Sequence, residues 1–263
     1  MIKSMPKSMD FSDTGLTVAG IIPARYASTR FPGKPLVMIR GMSMIERVYR
    51  QASGCALLNA VIVATDDGRI ADHVTGFGGR VIMTSPHHPS GTDRIAETLR
   101  MLAGNGEHYD IAVNIQGDEP TIRPEQIESV VSLFSSNETR IATLIKVIDK
   151  TEDLFNPNVV KVVTDKTGRA LLFSRSPIPH IRQHPDEAWT SAFTFYRHIG
   201  IYAYCTQTLQ EISMLPPAPP ETAESLEQLR WLWNGYSIQT NITDFETIGI
   251  DTPEDLSKLT NIA

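Results

Sequence analysis

The chain has 263 residues, 41% of them hydrophobic, enough to bury a sizeable core in one large domain or in a main domain with an appendage. A net charge of −6 and a pI of about 5.6 exclude a general nucleic-acid binder, so a phosphate ligand must meet local cations or a metal. Cys55 and Cys205 are too few for a disulfide framework, show no zinc-like spacing and fit a reducing cytoplasm, and no apolar stretch reaches the length of a membrane span.

Residues 1–17 are polar, lack the apolar core of a secretory signal and are expected to form a loose N-terminal extension. Residues 18–22 form a short apolar run with three β-branched side chains, the pattern of a strand buried on both faces. Pro23 lacks a ladder donor and is expected to stop that strand. The segment 21–36, I-I-P-A-R-Y-A-S-T-R-F-P-G-K-P-L, then sets Arg25, Arg30 and Lys34 among stiffening prolines, with Gly33 open to a positive φ or a close backbone approach. Such a loop can wrap a polyanion; an ordinary basic surface loop is the plainer reading. It is no P-loop, because Pro35 follows the lysine, and no G-x-G-x-x-G follows any predicted strand.

Further strand-like runs at 60–64, 80–83 and 111–115 alternate with helical patterns at 44–53, 68–77 and 91–102, which predicts a right-handed parallel α/β sheet with ligands at the strands' carboxyl ends. Ser43 with Glu46, and Ser90 with Asp93, mark helix starts, and Gly54 marks a stop. After a helix around 124–134 the pattern changes to β-rich runs at 141–147, 159–164, 169–173 and 198–204, read as a hairpin-rich insertion. Residues 216–220 read as a stiff extended spacer, and 223–233 as one helix carrying Trp231 and Trp233 toward a core or an interface.

Beyond the run at 111–115, Gln116-Gly117-Asp118-Glu119-Pro120 sets an amide and two carboxylates where hard-cation ligands of a nucleotide enzyme would lie, although a turn aspartate also explains Asp118. In Gly249-Ile250-Asp251-Thr252-Pro253-Glu254-Asp255, helix capping accounts for Thr252, Pro253 and Asp255. Asp251 is left over, able to point at a cation; two aspartates sharing a magnesium ion would let an acidic protein bind an acidic nucleotide.

Nine segments in one order, among them V-A-T-D-D, S-G-T-D-R, N-I-Q-G-D-E-P, F-N-P-N-V-V-K-V-V, F-S-R-S-P-I-P, R-H-I-G-I-Y, L-E-Q-L-R and G-I-D-T-P-E-D-L, resemble the cytidylyltransferases that activate sugar acids; the likeness runs from Val18 to about Leu259. It implies a Rossmann-like, mostly parallel sheet flanked by helices, of nucleotide-diphospho-sugar transferase type, with a smaller β-rich insertion. The implied regions are a nucleotide-binding core at 18–140, a β-rich sugar-binding and dimerisation region at 141–212, and C-terminal helices and a strand returning to the core at 213–263. The implied reaction moves CMP from CTP to the anomeric hydroxyl of 3-deoxy-manno-octulosonate (Kdo) for lipopolysaccharide synthesis, with Mg2+, in a cytoplasmic homodimer without nucleic-acid or membrane partners.

The resemblance implies that Ala24, Arg25, Ser28, Arg30 and Lys34 cradle the nucleotide and its triphosphate, that Thr65 and Asp66 end the second strand beside it, and that Ser90, Gly91, Thr92 and Arg94 lie against the cytidine. Asp118 and Asp251 would hold the metal and, with Arg25 and Lys34, serve catalysis; Gln116, Arg175, His198, Glu227 and Gln228 would face the sugar acid. Without the family, His198 reads as a core histidine, and Glu227 and Gln228 as a wet helix face. Departures from the family pattern are Asp93, the pair Pro177 and His180, and residues 1–17. The alternatives are a cytidylyltransferase for a nine-carbon sialic-type acid and a silent nucleotide-binding module; a glycosyltransferase lacks its D-x-D, since Glu119 and Pro120 follow Asp118.

Overall fold

Apolar runs and capped helices alternate through the first half of the chain, and the computed structural model, which describes residues 11, 14–27, 31–245 and 249–256, turns them into the parallel half of one sheet. In chain order these are β1 (Val18–Ala24), a hairpin of β2 (Met38–Ile39) and β3 (Met42–Ser43), α1 (Met44–Ser53), β4 (Ala60–Thr65), α2 (Gly68–Gly76), β5 (Val81–Met83), α3 (Gly91–Gly104), β6 (Ile111–Asn114) and α4 (Pro124–Ser132). The second half contributes β7 (Ile141–Ile148), α5 (Thr151–Phe155), β8 (Lys161–Thr164), β9 (Ala170–Ser174), α6 (Trp189–Ala192), β10 (Phe195–Cys205), α7 (Thr206–Ser213), α8 (Pro219–Glu224), α9 (Gln228–Trp233) and β11 (Ile238–Ile242). The sheet runs β11-β7-β10-β6-β1-β4-β5, with β8 and β9 attached through β10. Strands β5, β4, β1 and β6 are parallel, whereas β10 lies antiparallel to β6 and β7, so the sheet is mixed.

Alternation along β1 explains the three layers. Val18, Ile22 and Ala24 pack with α1, α2 and α4 on one face, and Ala19 and Ile21 pack with α3, α7 and α9 on the other. Each fully buried isoleucine of that strand contributes roughly 1.5–3 kcal/mol of transfer free energy.

Four local expectations are corrected. The runs at 141–147 and 198–204 are not part of an insertion: β7 and β10 lie inside the main sheet, and only β8 and β9 branch from it. The first strand continues through Pro23 to Ala24, paired with β4. Odd-numbered residues of β1 turn their backbone groups toward β6, as the bond from Ile115 N to Ile21 O shows, and the β1–β6 pairing ends at Ile21 and Asn114; the missing donor of Pro23 therefore breaks no ladder. The stretch 216–220 is not a spacer throughout, because Pro219 and Pro220 open α8, where fixed φ values suit a first turn. The single helix over 223–233 is two: Ser225, at φ 52, ends α8 and redirects the chain into α9.

Candidate active site

The site is built at the carboxyl ends of β1 and β6 and the start of α3. A cavity of about 240 Å³ is lined there by Ala24, Arg25, Lys34, Ser90, Gly91, Arg94, Gln116, Asp118 and Asp251, together with Pro23, Pro35 and Gly117. A second concavity of about 260 Å³, between α3 and α7, gathers none of the candidate residues.

Backbone close approaches bring the walls together. Gly117 passes so near β1 that a Cβ on it would sit 2.9 Å from the Pro23 carbonyl oxygen, and a Cβ on Gly91 would meet the Pro23 ring at 3.3 Å. Gly33, at φ 72, folds the basic loop back so that its N–H donates to the Tyr26 carbonyl at 2.9 Å, and a 3-10 turn over Lys34–Leu36 follows. The lysine thus leaves a turn fixed by Gly33 before it and by the buried Pro35 after it. Ser28 and Arg30 lie outside the described residues.

Asp118 and Asp251 meet although they are far apart in the chain. The Ile250 N–H donates to the Asp118 carbonyl at 2.9 Å, and the fully buried Ile250 side chain pegs this segment against Ile39 and Met44. Just beyond, Asp255 accepts bonds from the N–H groups of Asp251 and Thr252, at 3.1 and 3.0 Å, closing the expected cap. The two carboxylates then converge on one cation: Lys34 Nζ lies 2.7 Å from Asp118 Oδ2 and 3.4 Å from Asp251 Oδ1. Among the described residues no group of three or more His, Cys, Asp or Glu could hold a metal ion. Two hard carboxylates around a point already suited to a cation nevertheless fit magnesium, which keeps several waters and takes substrate phosphate oxygens as its remaining ligands.

The opposite wall is the start of α3, where Ser90 Oγ accepts from Asp93 N at 3.2 Å and the first-turn N–H groups offer an anion site. Behind it, the almost fully buried Arg94 is paired with Asp66 at 3.2 Å and donates to the Thr84 hydroxyl. Burial lowers the Arg94 pKa, Asp66 opposes that, and Arg25 lowers it further. Thr65 is buried at the end of β4 and its hydroxyl accepts from Asp67 N. Asp66 thus backs the cavity through Arg94, while Thr65 and Thr92 do not line it.

Of the residues assigned to the sugar acid, Gln116 lines the cavity, anchored on Asn114 and the Gly200 carbonyl at 3.2 Å each. Arg175, His198, Glu227 and Gln228 do not line it. Glu227 joins the two regions by accepting from the Thr92 hydroxyl at 3.0 Å; burial raises its pKa, with the threonine bond opposing. Gln228 is buried rather than on a wet face. The Arg175 guanidinium donates to the carbonyls of Glu224 at 2.7 Å, Pro157 at 3.0 Å and Ser225 at 3.5 Å, tying the α8–α9 turn to the loop before β8. His198 sits among Phe173, Tyr202 and Thr143, whose hydroxyl is 3.0 Å from Nε2, and burial pushes its imidazole down to about 3. His180 packs edge-on against Trp189.

Sequence reasoning missed Pro23, Pro35 and Gly117 as wall residues, and it missed Lys161. This lysine is fully buried on β8, donates to the carbonyls of Asn156 and Val159 at 2.9 and 2.7 Å, and is lowered by burial to about 8 against the opposing charge of Glu224. A lone lysine inside the apolar run V-V-K-V-V was the available signal. Trp231 is core, packed edge-on against Tyr202 and Tyr204, whereas Trp233 is 65% exposed.

A family model described as Cytidylyltransferase matches residues 19–242. A protein of Parabacteroides distasonis named 3-deoxy-manno-octulosonate cytidylyltransferase is 56% identical over 243 residues, covering 91% of this chain and 95% of its own length. A protein of the same name from Cytophaga hutchinsonii is 50% identical, covering 94% and 98%. A solved structure described as CMP:2-keto-3-deoxy-manno-octonic acid synthetase complexed with CTP is 42% identical, with a TM-score of 0.84, covering 92% of this chain and 96% of that one.

Proposed function

The chain belongs to the cytidylyltransferase family, and we propose on that premise that it transfers CMP from CTP to the anomeric hydroxyl of Kdo, releasing pyrophosphate. The observation that carries this reading is the convergence of Asp118 and Asp251 on the Lys34 ammonium, inside a cavity whose far wall is a helix N-terminus.

The sugar hydroxyl, giving up its proton to water, attacks the α-phosphorus in line, the bond from that phosphorus to the α–β bridging oxygen breaks, and pyrophosphate carries away the charge. Such transfers depend on positioning and charge stabilisation, not on a covalent enzyme intermediate. Arg25 and Lys34 receive the triphosphate, with Arg30 and Ser28 contributing from the same loop. Ala24, Thr65, Asp66, Ser90, Gly91, Thr92 and Arg94 shape the cytidine end. Asp118 and Asp251 would hold magnesium, which when bound supplies a positive centre for the phosphate and lowers the pKa of the attacking hydroxyl. Gln116 faces the acceptor from the cavity wall, while Arg175, His198, Glu227 and Gln228 form the sugar side. Arg175 keeps its role as partner of the sugar carboxylate in this reading, although its guanidinium is also tied to three carbonyls.

We place the enzyme in the cytoplasm, which suits the free thiols of Cys55 and Cys205, and in lipopolysaccharide synthesis. Among the described residues no helix is long and apolar enough to cross a membrane. A homodimer through the β-rich region is supported by the exposed Leu171 and Leu172 on edge strand β9 and by exposed Trp233. Sedimentation equilibrium should return twice the chain mass; a monomer would contradict the dimer.

Incubation with CTP, Mg2+ and Kdo should give CMP-Kdo and stoichiometric pyrophosphate. Turnover only with a nine-carbon sialic-type acid would reassign the acceptor, and no pyrophosphate with either acid would leave a silent nucleotide binder.

A further inference from the structure

Lys34 is required in two places. The triphosphate needs its charge, yet its ammonium lies within bonding distance of both aspartates, at 2.7 and 3.4 Å. A magnesium ion bonded at about 2.0–2.1 Å to the same Asp118 oxygen would lie within about 5 Å of that ammonium. Charges of two and one repel strongly at such a separation, so the two cations compete for the carboxylates.

We propose that Lys34 is the resident counter-ion of the divalent-metal site, holding Asp118 and Asp251 together until CTP and metal arrive, when its ammonium transfers to the triphosphate. The inference rests on the metal reading of the two aspartates. The main chain can stay still during this exchange: Gly33 and the buried Pro35 fix the turn, and lysine's four-carbon stem with rotatable donors lets only the head group swing. Metal alone must displace an ammonium without giving it a new anion. CTP supplies that anion, so nucleotide and metal each strengthen binding of the other by the same factor. The lysine therefore orders loading: metal enters with the nucleotide and does not settle on the aspartates before it.

The test uses Mn2+ as probe and the full chain, without sugar acid, with binding read from the relaxation of water protons and CTP·Mn2+ alone as blank. Lys34→Met should bind Mn2+ without CTP at least ten-fold more tightly than the wild type. Equal affinities would overturn the proposal. Asp118→Asn reports on the underlying reading: if it leaves Mn2+ binding unchanged with CTP present, the metal assignment itself fails, whatever Lys34 does. Should Lys34→Met not fold, the Lys34 ζ-15N resonance of the wild type serves. It should shift with CTP and Mg2+ together and stay fixed with the same Mg2+ alone; a shift with Mg2+ alone, or none with both, overturns the exchange.

Discussion

Lowering the pH from 8 to 5 should cost this fold about 2 kcal/mol through His198 alone. The imidazole is held at about 3 by burial among Phe173, Tyr202 and Thr143, against an ordinary value of 6.5. As pH falls through 6.5 the unfolded chain takes up a proton that the folded chain refuses until about pH 3. The stabilisation is thus complete above 6.5 and lost progressively between 6.5 and 3. The expected penalty is about 0.2 kcal/mol at pH 7 and about 2 kcal/mol at pH 5. Thermal melts at pH 8, 7, 6 and 5 on the wild type and His198→Gln isolate this contribution, because every other histidine is common to both. The glutamine keeps a polar group for Thr143 but cannot titrate. Between pH 8 and 5 the wild-type melting temperature should fall by about 4–8 °C more than that of the variant. Parallel curves would show that His198 titrates normally, and its enclosure would then carry no such cost.

Gly117→Ala forces a Cβ against the Pro23 carbonyl, a backbone atom that cannot swing aside. It should destabilise by about 1–3 kcal/mol and, by displacing Asp118, reduce kcat/KM by about ten-fold or more. Gly104→Ala, in α3 with open space around it, should leave activity unchanged and stability equal or slightly raised; the same loss from both would refute the close-approach argument. Arg175→Ala should raise KM for the sugar acid by about ten-fold while KM for CTP stays within about two-fold, and should lower the melting temperature because three carbonyls lose their donor. Equal rises in both constants would separate Arg175 from the acceptor.

The nucleotide half was legible because its signals are local. Continuous apolar runs and the caps at Ser43 and Ser90 each act within a few residues, as do the paired bonds of Asp255 near the C-terminal end, and the structure carries them out. The second half depends on contacts between distant segments. The end of α8 turns on the left-handed conformation of Ser225, a residue whose chemistry announces no break, and its carbonyl and that of Glu224 are held by Arg175 from the end of β9. The strand β11 pairs in parallel with β7, so its assignment waits on a partner about a hundred residues earlier. Pro23 was misjudged for the same reason: which of its sides faces a neighbour is set by where β6 stops. At the site, Asp118 stood out beside its strand and Asp251 by elimination from its cap. That the two meet depends on Ile250, buried in a small apolar cluster and bonded to the Asp118 carbonyl. Arg175 and His198 carry the chemistry expected of binding groups, but their own bonds to carbonyls and to Thr143 show only in three dimensions.

The most direct measurement of the central claim is pyrophosphate release with CTP, Kdo and Mg2+ by Asp118→Asn, Asp251→Asn and the double variant. If the two carboxylates serve one metal, each single change should lower kcat by about 100-fold or more, and the double should lose little beyond the worse single. Melting temperatures should stay within about 3 °C, since the pairs with Lys34 are partly exposed and contribute little. Wild-type turnover in either single variant, or losses that multiply in the double, would contradict a shared ion.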